Sequence, residues 1–128
     1  HEYWCADGRH VDYVRHCKGQ PTAVCRVDAL SGQETVLTLH GYCHFISDRS
    51  GNRIVGDDAE FVTLLDVPTG ALKPLVRHNQ ELTIANTLYH PHPAFSPDGQ
   101  QIVFCRRDDA GRNDVCLIRF EEESETRL

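Results

Sequence analysis

The clearest chemical signal in the sequence is His90-Pro91-His92-Pro93. On an extended strand, residues i and i+2 face the same side, with Cα atoms about 6.6 Å apart. Two imidazoles placed in this way can share one divalent cation at bond lengths of about 2.1 Å. The flanking prolines block a helix, hold the residues before them extended and remove ladder donors. The expectation is therefore an edge or rim strand. The following Ser96-Pro97-Asp98-Gly99 reads as a turn before the next strand.

Two more histidines share a position with this segment. From His1, Asp7-Gly8 lies six and seven residues on. From His44, Ser50-Gly51 lies at the same offsets, and from His92 so does Asp98-Gly99. Side chains at one phase of a structural repeat stack around a common axis, so His44, His90 and His92 are expected to meet. His10, His16, His40 and His78 do not share the phase; His10 and His16 are expected at the surface, and His78, after Arg77, reads as a solvated loop residue. Asp57-Asp58 reads as a turn rather than a ligand pair. The sequence carries no nucleophile elbow, Gly-rich phosphate loop or paired-carboxylate signature.

The elements that must position these histidines are short β-strands. No capped stretch of ten or more residues carries apolar positions at helical spacing. Strands are expected over 10–17, 22–28, 34–39, 43–48, 53–57, 61–67, 72–77, 92–96, 101–107 and 114–120. Turns at Asp7-Gly8, Ser50-Gly51 and Asp98-Gly99 alternate with a second set at Ser31-Gly32 and Thr69-Gly70. Two interleaved hairpin turns per period of roughly 40–50 residues match a four-stranded propeller blade. The fold class is all-β. The architecture is a partial β-propeller of about three four-stranded antiparallel blades, roughly 1–43, 44–91 and 92–120, with an acidic tail at 121–128. Closed propellers need at least about four blades, because each blade buries its faces against neighbours. The chain is accordingly expected to be the C-terminal part of a longer propeller rather than a small self-standing β-sandwich.

Composition narrows the function. A length of 128 residues allows one domain, and 40% hydrophobic with 25% charged residues excludes a disordered tail. A net charge of −6 argues against nucleic acid, whose phosphates require a basic face. No apolar run approaches the roughly 20 residues of a membrane helix, so no membrane partner is expected. The six cysteines form no CxxC pair, and most lie in apolar strand-like runs such as Ala23-Val24-Cys25-Arg26-Val27. They read as buried free thiols, and hence as a cytoplasmic protein.

Four stretches together resemble one family, the oligogalacturonate (oligogalacturonide) lyases. They are His1-Glu2-Tyr3-Trp4 with Asp7-Gly8, Lys18-Gly19-Gln20, His44-Phe45-Ile46-Ser47-Asp48 with Ile54-Val55-Gly56-Asp57, and His90-Pro91-His92-Pro93-Ala94-Phe95-Ser96-Pro97-Asp98. The second half of the last stretch is common to propellers of the TolB type. The resemblance covers nearly the whole chain and implies a seven-bladed β-propeller polysaccharide lyase of the cytoplasm. Such an enzyme cleaves pectin fragments by β-elimination with bound Mn²⁺. It further implies that His44, His90 and His92 hold the metal and that His1 is the general base. The family's glutamine ligand, three residues before the first His of His-Pro-His-Pro, falls on Thr87 in this chain, and the family's catalytic arginine lies upstream of it.

The chemistry suits those groups. A uronate C5–H is a poor acid. A cation on the C6 carboxylate stabilises the enolate-like charge that develops as the proton leaves. A neutral histidine can accept that proton near pH 7. The C4–O bond then breaks and leaves an unsaturated sugar. Imidazole and oxygen ligands suit Mn²⁺, with Zn²⁺ and Fe²⁺ as alternatives. The implied partner is oligogalacturonate. Two competing readings are a non-catalytic TolB-like binding propeller and a metal-binding relative that has lost activity.

Overall fold

The computed structural model describes residues 1–78 and 90–120. Every regular element among them is a β-strand. The first sheet is a meander of β1 (Glu2–Trp4), β2 (His10–Arg15), β3 (Ala23–Asp28) and β4 (Glu34–Thr38). The second repeats it with β5 (His44–Ser47), β6 (Arg53–Asp57), β7 (Phe61–Asp66) and β8 (Ala71–Arg77). The third contains β9 (Ala94–Phe95), β10 (Gln101–Arg107) and β11 (Asn113–Arg119). All neighbouring strands are antiparallel. Three departures from the sequence reading stand out. β1 is an additional strand, 92–96 contracts to the two residues of β9, and the third sheet has three strands among the described residues, not four. The acidic tail at 121–128 and Thr87 lie outside the described residues.

The repeat is physical. Gly8, Gly51 and Gly99 close the first hairpin of each sheet at φ of 66°, 72° and 70°. That left-handed conformation costs glycine nothing and costs most other residues strain. Their amides donate to the carbonyls of Cys5, Asp48 and Ser96 at 3.0, 3.0 and 2.8 Å. Those acceptors stand four residues after His1, His44 and His92. The three histidines therefore enter equivalent hairpins at the same point.

Packing explains the order of the sheets. On β6, neighbouring residues point to opposite faces. Ile54 packs with Val24, Tyr42, Phe45 and Leu65, whereas Val55 packs with Val62, Ile102 and Phe104. The middle sheet is thus covered on both sides, by the first sheet on one and the third on the other. Each fully buried aliphatic side chain contributes about 1.5–3 kcal/mol. The flanking sheets keep exposed apolar residues: Trp4 on β1 is 63% exposed and Val115 on β11 74% exposed. Such residues are what a repeat unit buries against its next neighbour.

Two arginines tie each sheet to the following one. Arg26 on β3 pairs with Asp12 and donates from Nη2 to the Gly51 carbonyl at 3.1 Å. Arg53 on β6 pairs with Asp48 and donates from Nη2 to the Gly99 carbonyl at 2.9 Å. Arg53 also lies over the rings of Phe95 and Phe120, 5.2 and 5.3 Å from their centroids. Each link holds the hairpin tip of the next sheet and so fixes the relative placement of the histidines at the starts of those hairpins.

Candidate metal centre

His44 is the first residue of β5 and pairs across the hairpin with Asp57, the last residue of β6. Asp57 is fully buried. Its Oδ1 accepts the His44 backbone N–H at 2.5 Å, and its Oδ2 lies 3.1 Å from His44 Nδ1. A carboxylate facing Nδ1 keeps the proton on that nitrogen and leaves Nε2 as the lone-pair donor, the arrangement metal-bound histidines use. Burial pushes the His44 pKa down, against the pull of Asp57. The ring is therefore neutral near pH 7, as a ligand must be. Asp57 Oδ2 also accepts the His92 N–H, at 3.4 Å.

His90 and His92 arrive on the stretch between the second and third sheets. Pro91 is fully buried, and its carbonyl accepts the Cys105 N–H at 2.8 Å, which pins this stretch to β10. His92 has φ of 44°, the only positive φ outside glycine among the described residues. The pair is thus not on an extended strand, as its spacing predicts; β9 begins only at Ala94. The two rings come near each other through a left-handed kink at His92. Histidine visits this region more readily than most residues, at a cost on the order of 1–3 kcal/mol. His90 Nδ1 lies 3.4 Å from Cys43 Sγ, and His90 Nε2 is buried without a hydrogen-bond partner. Burial raises the pKa of the Cys43 thiol.

All four histidines singled out by the sequence gather here. The His44 ring lies 4.4 Å from that of His1, 4.7 Å from His90 and 3.7 Å from His92, between centroids. His90 and His92 are 5.9 Å apart. His1, Tyr3, His44, Phe45, His92 and Pro93 line a cleft of about 240 Å³. The tightest set of donor atoms differs from the expected one. Cys43, His44 and His90 offer ligand atoms all within 4.8 Å of one another, whereas the His92 ring lies against that of His44. An orphaned imidazole nitrogen, a second imidazole locked through Nδ1 and a thiol together fit a divalent cation.

No family model matches the chain. It is 27% identical to the oligogalacturonate lyase of Dickeya dadantii, over 81% of this chain and 32% of that protein. An oligogalacturonate lyase solved in complex with manganese superposes with a TM-score of 0.79 at 29% identity, covering 97% of this chain and 35% of that one. The chain is a relative of the oligogalacturonate lyases. It spans about a third, 32%, of the length of the curated relatives it matches. TolB from Acinetobacter baumannii, at 21% identity and a TM-score of 0.71 over 91% of this chain and 28% of that one, shares the fold. The architecture is a partial β-propeller.

In this lyase relative His10, His40 and His78 have partners away from the cluster, and His16 is exposed. His10 pairs with Asp7 in its turn, at 2.7 Å, and His40 Nε2 lies 3.1 Å from Asp58 Oδ2. His78 is fully buried, contrary to the solvated loop expected of it: its Nε2 lies 3.0 Å from the Asp58 carbonyl oxygen. Cys17 is likewise exposed rather than buried; all six cysteines are free. Asp57 is the functional residue that a turn reading misses. The hairpin itself held the signal: counting outward from Ser50-Gly51 in equal arms pairs position 44 with 57. Asp57→Asn keeps the side-chain shape and removes the charge that orients His44. The expected result is a divalent-cation affinity about 10–100-fold lower, read by titration calorimetry. An unchanged affinity would remove Asp57 from the centre.

Proposed function

We propose that this lyase relative is part of an enzyme that cleaves oligogalacturonate by β-elimination. The observation carrying the proposal is the collection of His1, His44, His90 and His92 from three successive sheets into one cluster, beside a cleft of about 240 Å³. In this reading the sheets are consecutive blades of a seven-bladed propeller, close to 1–43, 44–91 and 92–120, working in the cytoplasm. His44, His90 and His92 hold the cation, and Asp57 orients His44. Bound there, Mn²⁺ (or Zn²⁺ or Fe²⁺) neutralises the C6 carboxylate of a uronate and so lowers the barrier to losing the C5 proton. His1, exposed at the edge of the cleft and next to His44, accepts that proton at an imidazole nitrogen. Tyr3 and Phe45 pack edge to face, ring centroids 5.2 Å apart, and form the apolar floor beneath His1 and His44.

The test uses the protein of full propeller length, loaded with Mn²⁺ and given digalacturonate. The expected result is growth of the ultraviolet absorbance of the unsaturated product. His1→Ala is expected to reduce the rate about 10²–10⁴-fold, the usual worth of a general base, while leaving metal content unchanged. Bound metal without product refutes elimination. That outcome favours the second reading, a metal-binding relative that has lost activity, which the clustered donor atoms of Cys43, His44 and His90 support.

A further inference from the structure

We propose that Cys43 is itself a ligand of the cation, bound as a thiolate alongside His44 and His90, and that it turns the centre toward Zn²⁺, Fe²⁺ or Co²⁺ rather than Mn²⁺. This rests on the histidine centre proposed above and changes its donor set.

Geometry carries the assignment. In a tetrahedral site with metal–sulfur bonds of about 2.3 Å and metal–nitrogen bonds of about 2.1 Å, the two donors stand about 3.6 Å apart. Cys43 Sγ and His90 Nδ1 stand 3.4 Å apart. The donor atoms of Cys43, His44 and His90 all fall within 4.8 Å of one another, and this is the group among the described residues that does so. The sulfur is also held in place. The Cys43 N–H donates to the Asp57 carbonyl at 2.7 Å, while the Asp57 side chain holds His44. One residue of β6 thus positions two neighbouring donors of β5 and the loop before it. Rigid support of this kind is what a ligand set requires.

The binding step balances simply. The Cys43 S–H bond breaks, its proton passes to solvent, and a sulfur–metal bond forms with no change of oxidation state. A soft thiolate beside imidazoles favours zinc, iron(II) and cobalt over manganese, which prefers oxygen donors. In the sequence Cys43 stands beside His44 but 47 residues from His90, so nothing in it marks the cysteine as part of the set.

The test loads the full chain with Co²⁺ and records its absorption spectrum. The expected spectrum has visible ligand-field bands and a near-ultraviolet thiolate-to-cobalt charge-transfer band. Cys43→Ser is expected to lose the charge-transfer band while keeping the visible bands; Cys17→Ser, at an exposed thiol, keeps both. Cobalt bound with no charge-transfer band, or with a band that survives Cys43→Ser, overturns the thiolate and leaves the histidine centre standing. No cobalt binding at all overturns both.

Discussion

His90→Ala is expected to abolish divalent-cation binding at the proposed centre. His44 has its own hairpin, with Asp57 at its back. His90 has the stretch pinned by Pro91, the Cys43 sulfur 3.4 Å from its Nδ1, and a buried Nε2 with no partner in the protein. Removing that imidazole takes away a donor outright, which costs more than the roughly 10–100-fold of losing an orienting residue. A loss greater than about 100-fold is therefore expected, measured as Mn²⁺ or Zn²⁺ affinity and as metal content after dialysis. His90→Ala also empties a partly buried space, so a second variant separates chemistry from folding. Glycine adopts φ of 44° without strain. His92→Gly therefore removes the neighbouring imidazole while relieving the kink, and it is expected to melt no lower than the parent. Cation binding that survives both replacements would show that the histidines share a corner of the fold without sharing an ion.

Much of this arrangement is legible in the sequence. The turns at Gly8, Gly51 and Gly99 declare their positions through residue type, and the strands between them follow from apolar alternation. Equal offsets from those turns bring His1, His44 and His92 to one place, because each hairpin enters its sheet identically. What escapes the sequence is what depends on register and on backbone between elements. Asp57 lies across the hairpin from His44, a relation visible only when the strands are paired. His92 reaches the centre by a left-handed kink that two flanking prolines argue against. β1 is only three residues long, too short for alternation to declare it. His78 looks like a loop residue because it follows a charged strand end, yet the Asp58 carbonyl gives it a buried partner. Cys43 shows the limit most sharply. It stands between Tyr42 and His44 in the chain, whereas its neighbour in space is an imidazole from 47 residues further along.

The largest effect on stability is expected from Arg26→Ala. Asp12 is fully buried on β2 and accepts from Arg26 Nε at 2.7 Å, Arg26 Nη2 at 2.9 Å and the Tyr3 hydroxyl at 3.1 Å. Hydrogen bonding to Asp12 in turn pushes the Arg26 pKa up, so the guanidinium stays charged throughout the physiological range. Truncating the arginine leaves a carboxylate in an apolar interior with one hydroxyl for company. Breaking a buried pair in this way costs about 3–5 kcal/mol, most of it the desolvation of the stranded charge. The same change cuts the link to the Gly51 carbonyl, and with it the contact that sets the first sheet against the second. Denaturant titration of the full chain should show the midpoint falling accordingly. The double replacement Asp12→Leu with Arg26→Met distinguishes the two contributions. Apolar residues in both places remove the stranded charge and are expected to restore most of the lost stability, although the link to Gly51 stays cut. His1 follows the first sheet and His44 the second, so the double variant should fold yet hold their rings less closely. A double variant no more stable than Arg26→Ala alone would place the stabilisation in the link between sheets and not in the ion pair.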